Sequence, residues 1–192
     1  KTTIMNTELC EWQIIDEDNG LVMPWLTHPF LAWAKQQNWS DKNITMFGCG
    51  LGDIWLAKRC ASLTVIERNL EWLEKCIERE REQSCTNLNY IHRPCNDSDG
   101  QADYYLDIEG LNPDIIINDD AYRTECCQMA VDYFKNKGGG ILISDNWVQA
   151  FVWMSPKAEE IMKPYEAIIF EQSNHTNNDG VNKWKTAVHF IK

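Results

Sequence analysis

The chain has 192 residues, 44% of them hydrophobic, with 18 Lys and Arg against 29 Asp and Glu for a net charge of −11. That length suits one domain with a core of its own, and the composition is not that of a disordered tail. The acidic excess argues against a basic nucleic-acid groove and an anionic membrane surface, and no apolar run reaches the ~20 residues of a membrane span.

Up to about residue 40 the sequence is Trp-rich. It reads as an irregular arm carrying a helix over Pro29–Gln37, within a single domain spanning 1–192. Ile44–Phe47 is then a short apolar strand running into Gly48-Cys49-Gly50-Leu51-Gly52, and Asp53–Arg59 reads as a helix. Leu63–Ile66 is the next strand, ending at Glu67. From Asn69 to Gln83 the period turns helical, with Leu70, Leu73, Cys76 and Ile77 opposite a charged face. Leu88–His92 alternates as a third strand, and Asp103–Glu109 reads as a short helix. Ile115–Ile117 is a fully apolar strand followed by Asn118-Asp119-Asp120. Arg123–Lys137 is helical and stops at three glycines, Gly138 to Gly140. Ile141–Ile143 is another buried strand, ending in Asp145-Asn146. Ser155-Pro156 opens a last helix in the arrangement of a cap followed by a first-turn proline. Glu166–Glu171 and Thr186–Ile191, with turn residues at Asn177-Asn178-Asp179-Gly180 between them, read as an antiparallel pair.

Strands alternating with helices specify βαβ units and a mainly parallel sheet. The eight cysteines form no C-x-x-C pair and match no zinc-site spacing. Several fall inside apolar patterns, so reduced thiols are expected. Nothing at the start of the chain reads as a secretory leader, and a cytoplasmic location is expected.

In open α/β sheets, ligands sit beyond the carboxyl ends of the strands. Here those ends carry, in order, a glycine turn, Glu67, Asn118-Asp119-Asp120 and Asp145-Asn146-Trp147. Glycines allow close backbone approach to a ligand, and a carboxylate one βαβ unit on can accept both ribose hydroxyls. The spacing G-x-G-x-G is shorter than the dinucleotide fingerprint.

That spacing resembles the first motif of the class I S-adenosylmethionine-dependent methyltransferases. Pro24-Trp25-Leu26-Thr27-His28-Pro29, Trp55-Leu56-Ala57-Lys58-Arg59, Val65-Ile66-Glu67 with Glu71-Trp72, Pro113–Ile117 with Asp119 and Arg123, and Gly139–Ile143 with Asp145-Asn146 are similar to one bacterial and phage-type group among them. The resemblance runs from Pro24 to Asn146, and Thr186–Phe190 resembles that fold's last strand. It implies a Rossmann-like three-layer α/β sandwich, with a mostly parallel seven-stranded sheet and an antiparallel last strand. It also implies S-adenosylmethionine as cofactor, held by Gly48, Cys49, Gly50, Glu67, Arg68, Asp97 and Asp119. One position departs from the family pattern. The acid two residues before the first glycine is replaced by Met46.

Asp119 and Asp145 are the candidates for contacting or activating the acceptor. With Asn146 they form an Asp…Asp-Asn set similar to that of the catechol-type O-methyltransferases, where it holds a divalent metal. The lysine those enzymes place after the first aspartate is absent, since Tyr122 and Arg123 stand there. Asp119-Asp120-Ala121-Tyr122 is similar to the D-P-P-Y loop of amino-methyltransferases but lacks both prolines. His28 and His175 are further candidates at the site mouth, and Trp25 and Trp147 are the tryptophans expected nearest to it. The expected activity is O-methylation of a small acceptor that is not a nucleic acid. The alternatives are a cofactor-binding protein without catalysis, motivated by Met46, and an aminopropyltransferase-like enzyme. The oligomeric state is left open, with the aromatic arm a candidate dimer contact.

Overall fold

A computed structural model describes residues 14–81, 83, 85–95, 104–105, 108–147, 156–173 and 183–192. Its elements are α1 (His28–Ala34), β1 (Asn43–Phe47), α2 (Asp53–Ala57), β2 (Ser62–Glu67), α3 (Leu70–Arg81), β3 (Leu88–His92), α4 (Ile108–Leu111), β4 (Ile115–Asn118), α5 (Arg123–Lys137), β5 (Gly140–Asp145), α6 (Pro156–Met162), β6 (Glu166–Ser173) and β7 (Lys183–Ile191). The strands form one sheet in the order β3-β2-β1-β4-β5-β7-β6. β1 pairs in parallel with β2 and β4, β2 with β3, and β4 with β5. β7 runs antiparallel to both β5 and β6. The expected Rossmann-like sheet with one antiparallel strand is thus the observed one.

The central strands are mostly apolar because both faces of the sheet are covered, with Thr45, Asn118 and Ser144 the buried polar exceptions in β1, β4 and β5 before its last residue. In β1 and its neighbours, Ile44, Met46, Leu63, Val65, Ile115, Ile117, Ile143 and Val188 pack with α1, α2 and α3 on one face. Their alternates Phe47, Ile66, Ile116, Leu142 and Ala187 pack with α5 and α6 on the other. Met46 therefore belongs to the core, at 3% exposure.

Several expected bounds shift. The arm helix is His28–Ala34 rather than Pro29–Gln37, because the following turn tightens to Gln36 N–H on Trp33 C=O and Gln37 N–H on Ala34 C=O. Within the span Asp103–Glu109, expected to be a short helix, Tyr104 is helical and α4 begins at Ile108, and residues 103, 106 and 107 lie outside the described residues. In α3, Leu73 and Cys76 are buried while Leu70 is 49% exposed. At 3.6 residues per turn, Leu70 lies about 90° from the middle of the Leu73–Cys76 stripe. The seven cysteines described are free thiols, and Cys10 lies outside the described residues.

The described part of the arm is tied to the sheet domain. Buried Asp16 accepts the Trp55 indole N–H at 2.7 Å and Lys35 Nζ at 2.7 Å. Pro24 packs onto the glycine turn so closely that a Cβ on Gly52 would lie 2.2 Å from the Pro24 nitrogen. Thr27 N–H donates to Thr186 Oγ1 of β7 at 3.1 Å. No helix among the described residues is long and apolar enough to cross a membrane.

Candidate active site

The strand order reverses between β1 and β4, and a cleft of about 500 Å³ opens beyond the carboxyl ends of β1, β2 and β4. This is where open α/β sheets bind ligands, and the volume falls within the range of small-molecule sites. Of the residues expected at the cofactor, Gly48, Cys49, Glu67, Arg68 and Asp119 line it and Gly50 does not, and Asn69, Trp72, Cys95 and Asp120 join them.

Gly48 turns the chain out of β1 with φ +92°. Its N–H donates to Ile66 C=O at 2.9 Å, which keeps the turn against β2. Glu67, 5% exposed, accepts Cys49 N–H on Oε2 at 3.0 Å and Asn69 N–H on Oε1 at 2.7 Å. Each oxygen therefore has one backbone donor and a lone pair to spare. Asn69 also caps α3, its Oδ1 accepting Trp72 N–H at 3.1 Å. The Trp72 indole N–H donates to Cys49 C=O at 2.8 Å.

Arg123, 6% exposed, joins the ends of β4 and β5. Its Nε donates to Asp120 C=O at 2.8 Å, its Nη1 to Asp145 C=O at 2.9 Å and to Asn146 Oδ1, and its Nη2 to Asp119 Oδ1 at 2.9 Å. Asp120 accepts Arg68 Nε at 3.0 Å and the Tyr104 hydroxyl. Asp145 does not line the cleft. Its carboxylate accepts the Trp184 indole N–H at 3.0 Å and the Thr186 hydroxyl at 2.8 Å, both from β7. The metal set read from the sequence is thereby corrected. Asp119 and Asn146 are drawn to a guanidinium, Asp145 is turned to β7, and no metal-holding group occurs among the described residues.

Burial and the neighbouring Asp145 push the Asp119 carboxyl up, against the pull of Arg123. Burial also raises Asp145 to about 6. Sequence reasoning missed Asp53, whose signal was an acid at the first helical position after the glycines. It is 1% exposed, and both its oxygens accept Gly50 N–H at 3.1 Å. Burial pushes its carboxyl to about 7, against hydrogen bonds from Gly50 and Tyr90. The folded chain thus holds a proton on Asp53 that the unfolded chain releases near 3.8. Stability from this group is fully present below that pH and is lost as pH rises through about 7. Asp145 acts in the same direction. Buried His189, held down at about 4, acts in the opposite one, its contribution being lost as pH falls from 6.5 through 4. Asp53→Asn is expected to remove part of the alkaline loss. Urea unfolding at pH 5 and pH 8 should show the variant gaining on the wild type at the higher pH, and a gap that does not change with pH would refute this.

Of the expected tryptophans, Trp147 packs on His189 at 4.6 Å and half-exposed Trp25 packs edge-on to Trp184 at 6.5 Å. The tryptophan lining the cleft is Trp72, which the sequence placed in the family motif but not at the site. Asp97 and His175 lie outside the described residues. His28 N–H donates to Gln172 Oε1 at 2.6 Å.

No family model matches the sequence, and no curated protein matches it. Solved structures do. The chain superposes on a precorrin-6y C5,15-methyltransferase from Geobacter metallireducens with TM-score 0.59 and 13% identity, over 93% of this chain and 97% of that one. It superposes on TYW2 from M. jannaschii, solved with AdoMet, with TM-score 0.56 and 13% identity, over 96% and 88%. This is the class I methyltransferase fold. An rRNA methylase from Streptococcus thermophilus shares it too, with TM-score 0.51 and 14% identity, over 86% of this chain and 94% of that one. That neighbour overturns the exclusion of nucleic acid drawn from net charge. A methyltransferase fold meets its acceptor on one local surface, and a whole-chain charge of −11 does not describe that surface.

Proposed function

We propose that the chain is an S-adenosylmethionine-dependent methyltransferase that binds its cofactor in the cleft between the glycine turn and Glu67. The observation that carries this is the Glu67 carboxylate, held at the strand end by two backbone N–H groups with lone pairs left for two ribose hydroxyls. The residues fit the group. The turn at Gly48 brings backbone to the cleft edge, and the position of a Cβ on Gly50 is open space. The cofactor supplies an activated methyl on a sulfonium, so positioning by the protein accounts for much of the rate.

Arg68 and Cys49 complete the nucleoside side of the cleft, and Asp97 is carried as a further cofactor contact from the sequence. Asp119 faces the acceptor. Its side chain is 24% exposed and lines the cleft, and its Oδ2 has no donor among the described residues. A carboxyl raised by burial takes a proton more readily than an ordinary one, so in O-methylation of a hydroxyl acceptor Asp119 would be the proton acceptor. Asp145 holds β7 and the arm through Thr186, and so sets the acceptor side without touching it.

Isothermal titration with S-adenosylmethionine and S-adenosylhomocysteine tests the reading. Binding of both is expected, weakened at least ~10-fold by Glu67→Ala through the lost charge-assisted hydrogen bonds. No heat with either ligand on the wild type would sink it.

A further inference from the structure

We propose that the outer edge of β6 is a self-association surface, on which β6 of a second copy of this chain pairs antiparallel about a two-fold axis at Ile169. The inference stands apart from the methyltransferase reading, since β6 is the edge strand of the sheet and the cleft lies beyond β1, β2 and β4.

β6 runs over eight residues, Glu166-Ala167-Ile168-Ile169-Phe170-Glu171-Gln172-Ser173. It is bonded to β7 on one side and to no strand on the other among the described residues. Edge strands of this length are ordinarily blunted by proline, lysine, a bulge or a covering element. β6 contains neither proline nor lysine, and its register with β7 runs without a break from Glu166 to Ser173. Its middle is apolar on both faces, with Ile168 37% exposed and Ile169 52%.

The strand's own sequence selects the register. Residues directly opposite in an antiparallel pair share a face, so a two-fold pairing brings together only positions an even number of residues apart. Centred on Ile168, such a pairing sets Glu166 against the partner's Phe170. Centred on Phe170, it sets Ile169 against the partner's Glu171. Centred on Ile169, it sets Ile169 against its own copy and Ile168 against the partner's Phe170, on both sides of the axis. Apolar residues then meet apolar ones, and no like charges stand opposite. Phe170 already packs on Phe30 at 5.7 Å and on Trp33 at 5.5 Å, so the partner's Ile168 extends this cluster.

The same register sets Gln172 opposite the partner's Glu166. Gln172 Oε1 accepts His28 N–H at 2.6 Å, which leaves its amide N–H groups to donate. Neither that amide nitrogen nor the Glu166 carboxylate has a partner among the described residues. An open donor thus faces an open acceptor, twice by symmetry.

Sedimentation equilibrium on the whole chain tests this. A reversible equilibrium between 22.3 kDa and twice that mass is expected, as small interfaces give. Ile169→Lys sets two lysines face to face at the axis and should raise the dimer Kd at least ~100-fold. Gln172→Glu sets carboxylates opposite each other at two places and should raise it ~10-fold. Adding Glu166→Lys to Gln172→Glu should restore dimerisation, because the opposite charges then pair in this register. A mass that stays at 22.3 kDa at every concentration overturns the proposal. So does a dimer that Ile169→Lys leaves intact, or a Gln172→Glu loss that Glu166→Lys fails to rescue. A dimer that appears only after removal of residues 1–13 would place the chain's own start on this edge, and the proposal falls. If Ile169→Lys does not fold, the charge swap decides alone.

Discussion

Arg123→Met is expected to cost about 3–5 kcal/mol of stability, the usual penalty for leaving a buried charge without its partner. Methionine can follow the path of the arginine stem, so little packing volume is lost. The loss is in the donors. Asp119 Oδ1, Asn146 Oδ1 and the carbonyls of Asp120 and Asp145 all accept from this one guanidinium. Without it the half-buried Asp119 carboxylate stands beside Asp145 with no counter-charge. Its protonation would relieve the repulsion, so the deficit should grow as pH rises. Urea unfolding at pH 5 and pH 8 measures this. Adding Asp119→Asn to the variant should recover part of the deficit at pH 8. A loss under ~1 kcal/mol, or one equal at both pH values, would show that Arg123 is not what joins the ends of β4 and β5.

The sequence made this hub visible only as a gap. Position 123 stood where a related family carries lysine, and the aspartates read as metal ligands because strand ends rich in oxygen look alike whether they hold an ion or an arginine. The partners that separate the two cases are far along the chain. Trp184 and Thr186 are 39 and 41 residues beyond Asp145, and nothing local marks which side of a strand end they will reach. The elements themselves were plain where period and punctuation agreed. α5 runs over Arg123–Lys137 as expected, since a buried apolar stripe ends at a glycine that takes the left-handed cap. Glu67 was legible because its role follows from the strand end on which it sits. Trp72 and Asp53 were not, since each acts through a contact with the backbone of the glycine turn. Net charge misled for another reason: an acidic chain is compatible with any acceptor whose docking surface is local.

Gly48→Ala and Gly50→Ala separate the two things a glycine can do in that turn. Gly48→Ala should lose about 2–4 kcal/mol, combining a strained backbone with a clash in a packed region. Its φ of +92° lies where side chains are rarely tolerated. Its Cβ would also stand 2.6 Å from the Asp119 carbonyl oxygen and 3.1 Å from the carbonyl carbon. That backbone has little room to retreat. Asp119 N–H is bonded to Phe47 C=O at 3.1 Å, and the loop beyond it is held by Arg123. The clash must be relieved by moving either the cleft floor or the β1–β4 junction, so adenosyl ligands should bind far more weakly to whatever folds. Gly50 differs. A Cβ there meets nothing within 4 Å, and its φ is not in the left-handed region. Gly50→Ala should leave stability unchanged or raise it by up to about 1 kcal/mol. If the cofactor lies across this turn, the same methyl group occupies its space, and affinity should fall at least ~10-fold with the melting curve intact. Loss of stability without loss of binding in Gly50→Ala would place the ligand elsewhere in the cleft.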